Sequence, residues 1–472
     1  MKVLFCVDEA YPLYKIGGLG DVGGSLPIAL YKLQVDVRIA LPKHPEIDIS
    51  QSDWHTIDHF NIVYKNQQLP VTVYSGFLPG SNVPVYLFEE TVYLSAHTDA
   101  SDNHADKFTV FSLCIASWLH QPNPSWHPSI IHLQDWHTAM VPVIIKHRYP
   151  TSDFKYITTI HNLAYQGNTD SPILKNLGLN INDCKILSWD SIDNHINILL
   201  EGLLHSDIIS TVSPTYAGEI LTDEYGEKID TILQSRKSQI VGILNGLDYQ
   251  VFDPSSDQYL DHHYSAKDVV AGKLANKHQL QQELELPQSD LPLIGFVGRV
   301  DAGQKGIALI IEALANHQLP PPDTQLVFLG TGDPILEQQL HQQGDEYKNC
   351  RIITRFDEPL ARRIYAASDL MLIPSRYEPC GLVQMIAMRY GTLPIARKTG
   401  GLADTIIHGH DGFLFNDYSS QAMVDALSEA LGSFSQPHKR QAMIDAAINK
   451  NFTWDEPAKE YVALYEHLVL ES

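Results

Sequence analysis

Several small clusters of residues could do chemistry on a phosphorylated ligand. The first is Lys15-Ile16-Gly17-Gly18-Leu19-Gly20-Asp21. Adjacent glycines let a backbone come close to a ligand, a helix beginning near Asp21 would aim free N–H groups at it, and Lys15 adds a mobile positive charge. This suits a sugar diphosphate, and on glycine spacing alone it suits a plain strand-to-helix turn equally well. A P-loop needs Gly-Lys-Ser/Thr after its glycines, whereas Gly20 is followed by Asp21-Val22. A nicotinamide fingerprint needs an acid at the end of the second strand, where this chain has Pro42-Lys43-His44.

The second cluster is Glu378-Pro379-Cys380-Gly381-Leu382, placed after an apolar run and opening a helix expected from Cys380. A carboxylate at the carboxyl end of a parallel strand lies where such sheets bind ligands and could accept hydrogen bonds from sugar hydroxyls; it could equally complement a helix dipole. Arg299 and Lys305 follow another apolar run and could neutralise a diphosphate leaving group, or be ordinary surface cations. Two histidines end further runs, His161 with Asn162 and His137 within Asp135-Trp136-His137. No metal-type spacing supports them as ligands, so a site role competes with a satisfied structural one. Thr399-Gly400-Gly401 could form a second backbone nest for phosphate, or a turn.

The elements that must position these residues are legible as alternating periods. "KVLFCV" reads as a buried parallel strand, Val22, Leu26, Ala29, Leu30 and Leu33 stripe a helix, and "VDVRIALP" reads as the next strand, which makes a right-handed βαβ unit. "VPVYLF", "SIIHL", "YITTIH", "DIISTVS" and "IVGILNG" continue the first half. A polar, turn-rich stretch follows Gly246, with the linker expected near 245–253, and a helix is expected over 267–286. "LPLIGFVGRV", "TQLVFLGTG", "CRIITRF", "DLMLIPS" and "TLPIARKTGG" then repeat the style, and Tyr461, Leu464, Tyr465 and Leu468 stripe a last helix. Two α/β domains with doubly wound parallel sheets and a cleft between them are expected.

With 472 residues, more than one core is expected. The net charge of -23 disfavours nucleic acid and anionic membranes as partners. Cys6, Cys114, Cys184, Cys350 and Cys380 form no CxxC pair, which points to a reducing cytoplasm without a disulfide or zinc framework. The apolar start before Asp8-Glu9 is too short to be expected as a signal peptide, and no apolar run is long enough for a membrane span.

Taken in order, "KIGGLGDV", "LQDWHTA", "TIHNLAYQG", "STVSPTYAGEI", "NGLD", "QKG", "EPCGL", "TGGLADT" and "FTWDEPAKEYVALY" resemble the retaining glycosyltransferase family of bacterial glycogen synthases and plant starch synthases along nearly the whole chain. The resemblance implies a GT-B fold: a Rossmann-like acceptor-side domain over 1–246, a Rossmann-like nucleotide-sugar domain over 247–455, and a helix over 456–472 crossing back to the first. It implies transfer of glucose from ADP-glucose to the non-reducing 4-hydroxyl of an α-1,4-glucan such as glycogen, with retention and release of ADP, no metal and no cofactor. Closure on donor binding is expected with it, because the matched residues fall on both sides of the linker.

Carried onto this chain, Lys15 and the Gly17-Gly18 backbone would sit by the donor diphosphate and sugar, with Asp21 beside them. His161 would lie against the transferred glucose, its carbonyl facing the developing cation. Arg299 and Lys305 would hold the diphosphate, and Glu378 would position the glucose. The Cys380-Gly381-Leu382 backbone, Thr399, Gly400, Gly401 and Phe356 would complete the donor pocket. Asp135, His137, Asn162, Tyr165, Gln166 and Asn245 are acceptor-side or structural candidates. With no carboxylate pair evident at the reacting carbon, a same-face, internal-return-like path is expected in place of double displacement.

Four departures stand out. The loop "VDAGQ" between Arg299 and Lys305 is one residue longer than the family's usual form, Lys107 in "SDNHADKF" replaces an arginine, Pro42-Lys43-His44-Pro45 replaces a "PGYP"-like turn, and Phe356 replaces a tyrosine. Ile386 stands where related transferases of other nucleotide sugars carry a second glutamate, which favours the glycogen synthase reading. The alternatives are a retaining transferase using UDP-glucose or another acceptor, and a catalytically weak glycan-binding relative.

Overall fold

Continuous runs of Val, Ile, Leu and Phe can be satisfied only where a strand is covered on both faces, and the short apolar runs of this chain are strands of that kind. The computed structural model describes residues 1–50, 53–95, 104–122, 126–180 and 185–470. The chain divides into two compact units, Met1–Gly246 with Trp454–Ser472 and Leu247–Thr453.

In the first unit the strands are β1 Lys2–Cys6, β2 Asp36–Pro42, β3 His55–Tyr64, β4 Gln67–Phe77, β5 Pro84–Glu89, β6 Ile130–Gln134, β7 Lys155–Ile160, β8 Asn168–Asp170, β9 His195–Asn197, β10 Ile208–Thr211 and β11 Ile240–Gly242. Among the described residues β8 and β9 form a separate pair, and the other nine make one sheet in the order β11-β10-β7-β6-β1-β2-β5-β4-β3. All seven strands from β11 to β5 in that order run parallel. The last two do not: β4 pairs antiparallel with β5 and with β3. The sheet is therefore mixed. This hairpin was not expected, because β3 alternates exposed and covered positions and has no continuous apolar run, as an edge strand open to solvent on one face allows.

The second unit holds β12 Leu293–Val297, β13 Gln325–Leu329, β14 Cys350–Ile353, β15 Leu370–Ile373, β16 Leu393–Arg397 and β17 Phe413–Phe415, in the parallel order β14-β13-β12-β15-β16-β17. In both units the candidate residues follow the carboxyl ends of these strands, where loops converge on a ligand in such sheets.

Helix boundaries differ from expectation at two places that matter. The first helix runs Gly18–Lys32, starting three residues before Asp21, and Leu33 is its partly exposed C-cap. The helix expected from Cys380 begins at Val383, because Gly381 adopts φ 75°, a left-handed conformation that interrupts it. The helix expected over 267–286 spans Val269–Glu283. Cys184 and the first three residues of "SDNHADKF" lie outside the described residues.

Within this helix Lys273 is buried, and its ammonium reaches the carbonyls of Tyr365, Ala366 and Tyr390 at 3.2, 3.0 and 3.0 Å and the Thr392 hydroxyl at 2.6 Å. It thereby satisfies the carboxyl-terminal carbonyls of two helices, Glu358–Ala367 and Val383–Arg389, from one cation.

The last helix, Asp455–Leu470, belongs to the first unit's core, burying Ala458, Tyr461, Tyr465 and Leu468 alongside Val3, Phe5 and Leu26. His132 of β6 fastens it: one ring nitrogen lies 2.7 Å from the Tyr465 hydroxyl and the other 2.7 Å from the Thr159 hydroxyl. Burial pushes the His132 pKa down to about 3, with the nearby His161 adding to the effect. An unfolded histidine titrates near 6.5. Between those values the unfolded chain binds a proton that the folded one refuses, so this contribution is intact above about pH 6.5 and is lost as pH falls towards 3. Thermal denaturation midpoints should therefore fall on acidification below pH 6.5. His132→Gln should start lower by about 1–3 kcal/mol and fall less steeply, read by melting both proteins from pH 8 to pH 5.

Candidate active site

In the first unit the glycine loop is organised by a residue that spacing did not reveal. Glu9, just beyond β1, is almost fully buried, and its Oε2 accepts the Ile16 N–H at 2.6 Å and the Gly17 N–H at 2.8 Å. The Gly17 N–H, expected to face a phosphate, is thus already engaged by the chain's own carboxylate. Burial pulls the Glu9 carboxyl upward, opposed by those two hydrogen bonds. A Cβ added to Gly17 would meet nothing within 4 Å, so the loop surface there is open. Lys15 pairs with Asp21 at 2.7 Å.

The loops after β6 and β7 meet in one network. Asp135 is buried at φ 54°, a conformation that costs a non-glycine residue about 1–3 kcal/mol and so must be held in place. Its N–H donates to the Thr159 carbonyl, and its Oδ1 accepts the N–H of His161 at 2.7 Å and of Asn162 at 3.4 Å. Burial nevertheless pushes the Asp135 carboxyl up to about 7, while these hydrogen bonds pull it down. His161 Nε2 lies 2.7 Å from Gln134 Oε1, which fixes Nε2 as the protonated nitrogen. Burial first, and His137 second, push the His161 pKa down to about 3, so its ring is neutral. His137 is likewise held near 4 by burial.

Of the other residues here, Asn162 Oδ1 accepts the Ala164 N–H, and Tyr165 is half-exposed. The Gln166 amide is committed to Asn197 at 2.5 Å and to the Glu227 carbonyl at 3.1 Å, a bracing role. Asn245 is buried.

The second unit brings Arg299, Lys305 and Glu378 together. Glu378 is 5 % exposed, and its carboxylate takes Lys305 Nζ at 2.6 Å, the Ser375 hydroxyl at 2.9 Å and Gln304 Nε2 at 3.4 Å. Gln304 also accepts Arg299 Nη2 at 2.6 Å, so one amide links the cation to the carboxylate. The loop between Arg299 and Lys305 closes on Asp301, whose Oδ1 accepts the N–H groups of Gly303, Gln304 and Lys305 at 3.1, 2.5 and 3.2 Å. With that cap in place the Arg299 guanidinium is half-exposed beside Gln304. Neither Gln304 nor Ser375 was legible as part of this cluster, since an amide and a hydroxyl carry no spacing signal.

The two glycines after Thr399 serve packing. A Cβ on Gly400, at φ 42°, would fall 2.0 Å from the Glu378 carbonyl oxygen, and one on Gly401 2.0 Å from that of Cys380. The Gly401 N–H donates to the Glu378 carbonyl at 3.0 Å, so it is taken up inside the protein and does not face a phosphate as the nest reading expected. Cys380 is buried, and Phe356 is 80 % exposed. Among the described residues no group of three or more His, Cys, Asp or Glu is arranged to hold a metal ion, and no helix is long and apolar enough to cross a membrane.

Two α/β units, one on a mostly parallel sheet and one on a fully parallel sheet, with charged loops at their strand ends, define a GT-B glycosyltransferase. Residues 2–235 match the family described as starch synthase catalytic domain, and residues 291–433 match glycosyl transferases group 1. The chain is 38% identical over 482 residues to a glycogen synthase of Thermosipho melanesiensis, with 98% of each chain covered. It is 39% identical to one of Natranaerobius thermophilus, covering 99% of this chain and 97% of that one. The solved catalytic domain of starch synthase IV from Arabidopsis thaliana, bound to ADP and acarbose, superposes with a TM-score of 0.88 at 32% identity, covering 99% of both chains. This chain belongs to the glycogen synthase and starch synthase family, and it is a glucosyltransferase.

If Gln304 holds Arg299 in place, Gln304→Ala should lower kcat/KM about tenfold, or about 1.4 kcal/mol, with an unchanged melting temperature. Steady-state kinetics beside a melting curve check this. Full activity would mean that Arg299 is positioned without the amide.

Proposed function

We propose that this enzyme transfers glucose from ADP-glucose to the non-reducing 4-hydroxyl of an α-1,4-glucan, retaining configuration and releasing ADP. The observation that carries the reading is the linked set Arg299, Gln304, Glu378 and Lys305, two cations and a buried carboxylate at the strand ends of one unit, in a member of this family. The relative bound to ADP and acarbose supports a donor with that base and a glucan-like acceptor.

In this mechanism Arg299 and Lys305 neutralise the diphosphate as charge builds on it, the largest change on the way to the transition state. Lys15, in the first unit's glycine loop, adds a cation for the donor. Glu378 accepts hydrogen bonds from the glucose hydroxyls. It is paired to Lys305 and bonded to Ser375, which suits positioning better than nucleophilic attack. The acceptor hydroxyl then attacks on the face the diphosphate leaves, passing its proton to the departing phosphate oxygen as the carbon–oxygen bond to ADP breaks, which retains configuration without a glycosyl-enzyme. His161, neutral and fixed by Gln134, turns its carbonyl to the developing oxocarbenium ion. Phe356 flanks the base. Cys6, Cys114, Cys350 and Cys380 are buried and in no disulfide among the described residues, which fits a cytoplasmic enzyme.

Incubation with labelled ADP-glucose or UDP-glucose plus glycogen tests the reading. Label should enter the glucan from ADP-glucose with α configuration, and Lys15→Ala and Glu378→Ala should each lower kcat at least about 100-fold. Labelling from UDP-glucose alone would reassign the donor. No labelling from either, or full activity in both variants, would overturn the reading.

A further inference from the structure

We propose that His44, lying just beyond β2, is a positioning residue for the sugar-nucleotide donor, acting through a ring stack on Tyr14 that sets the direction of Lys15. The inference rests on the functional reading above and adds to it a residue outside the charged cluster.

The His44 and Tyr14 rings lie 3.7 Å apart between centroids and 13° from parallel. His44 is 1 % exposed and its proton arrangement is determined by its neighbours. Nε2 lies 2.8 Å from the Asp8 carbonyl oxygen, an acceptor, and Nδ1 lies 3.4 Å from Lys107 Nζ, a donor. The imidazole therefore carries its proton on Nε2 and offers its Nδ1 lone pair to the ammonium; the opposite tautomer would set an N–H against an ammonium and a lone pair against a carbonyl. The Asp8 carboxylate, 3.1 Å from Nε2, adds a favourable charge on the same side. The ring is thus gripped by the loop after β1 and by helix His104–Trp118.

Tyr14 is the residue before Lys15, and the short segment they share is held at three points. The Ala10 backbone exchanges hydrogen bonds with Tyr14 at 3.0 and 3.1 Å, the Glu9 carboxylate takes the N–H groups of Ile16 and Gly17, and the His44 ring covers the Tyr14 ring. The first two fix the backbone on either side of Lys15. The third fixes the plane of the side chain that directly precedes Lys15, so the segment that aims Lys15 at Asp21 is held through a side chain as well as along its backbone. Lys107 here does not act as an arginine fork towards a ligand: its ammonium is turned to the imidazole, so the lysine and the histidine at these two positions work as one device.

The experiment compares His44→Leu, Tyr14→Leu and Tyr14→Phe with the unaltered enzyme, measuring kcat and donor KM with ADP-glucose and glycogen and the melting temperature of each. Loss of a stack of this kind should raise donor KM about five- to tenfold in His44→Leu and Tyr14→Leu while kcat changes less than about threefold, and Tyr14→Phe, which keeps the stack, should match the unaltered enzyme. If His44→Leu does not fold, the two Tyr14 variants decide, since that side chain is only partly buried. A donor KM within twofold in Tyr14→Leu, or equal impairment in Tyr14→Phe, overturns the inference. If the unaltered enzyme uses no nucleotide sugar, the functional reading has failed and this inference falls with it; an active enzyme with an unmoved KM in Tyr14→Leu defeats this inference alone.

Discussion

A carboxylate removed from water must be given a cation or hydrogen-bond donors, or the protein will not bury it. Glu378 imposes that requirement on the second unit. Its carboxylate takes Lys305, Ser375 and Gln304, Gln304 takes Arg299, and the Asp301 cap shapes the loop that carries these partners. Its backbone imposes a second requirement, because Gly400 and Gly401 pass so close to the Glu378–Cys380 carbonyls that neither position has room for a side chain. Charge pairing and chain path are therefore fixed by the same few residues.

The first unit meets the same physics in a different form. Glu9 is also buried, yet it is satisfied by two backbone N–H groups of the glycine loop. The loop's conformation is held by an internal anion, which leaves the surface at Gly17 open to an external one while Lys15 is held to Asp21. Asp135 repeats the pattern, accepting the N–H groups that carry His161 and Asn162. Carboxylates here are scaffolding for backbone as much as reagents.

This explains which parts of the structure were legible in the sequence. The parallel strands were readable because burial on both faces leaves a continuous apolar run, as in "KVLFC" and "LIGFV". The β3–β4 hairpin was not, since its outer strand is solvated and mixes polar with apolar residues. By type and place alone, Arg299, Lys305 and Glu378 read equally as surface cations and a helix-start acid, and the family resemblance is what singled them out. Glu9, Gln134 and Gln304 were not singled out, because each acts through a partner brought near by folding. The Gly400-Gly401 pair was readable as a phosphate nest or as a turn, and spacing could not show that its glycines answer to a neighbouring backbone.

The helix Asp455–Leu470 follows the whole second unit in the chain, yet Trp454, Tyr461 and Tyr465 complete the first unit's core, with Tyr465 fastened to His132. On the ribosome the usual order of maturation, amino-terminal domain first, cannot run to completion here. Residues 1–246 must wait with an uncovered sheet face while more than two hundred further residues are made, and the second unit has all its own parts in hand before the first does. The enzyme's earliest-made half is thus its last to be finished, and the exposed face that waits is the natural place for a chaperone to act.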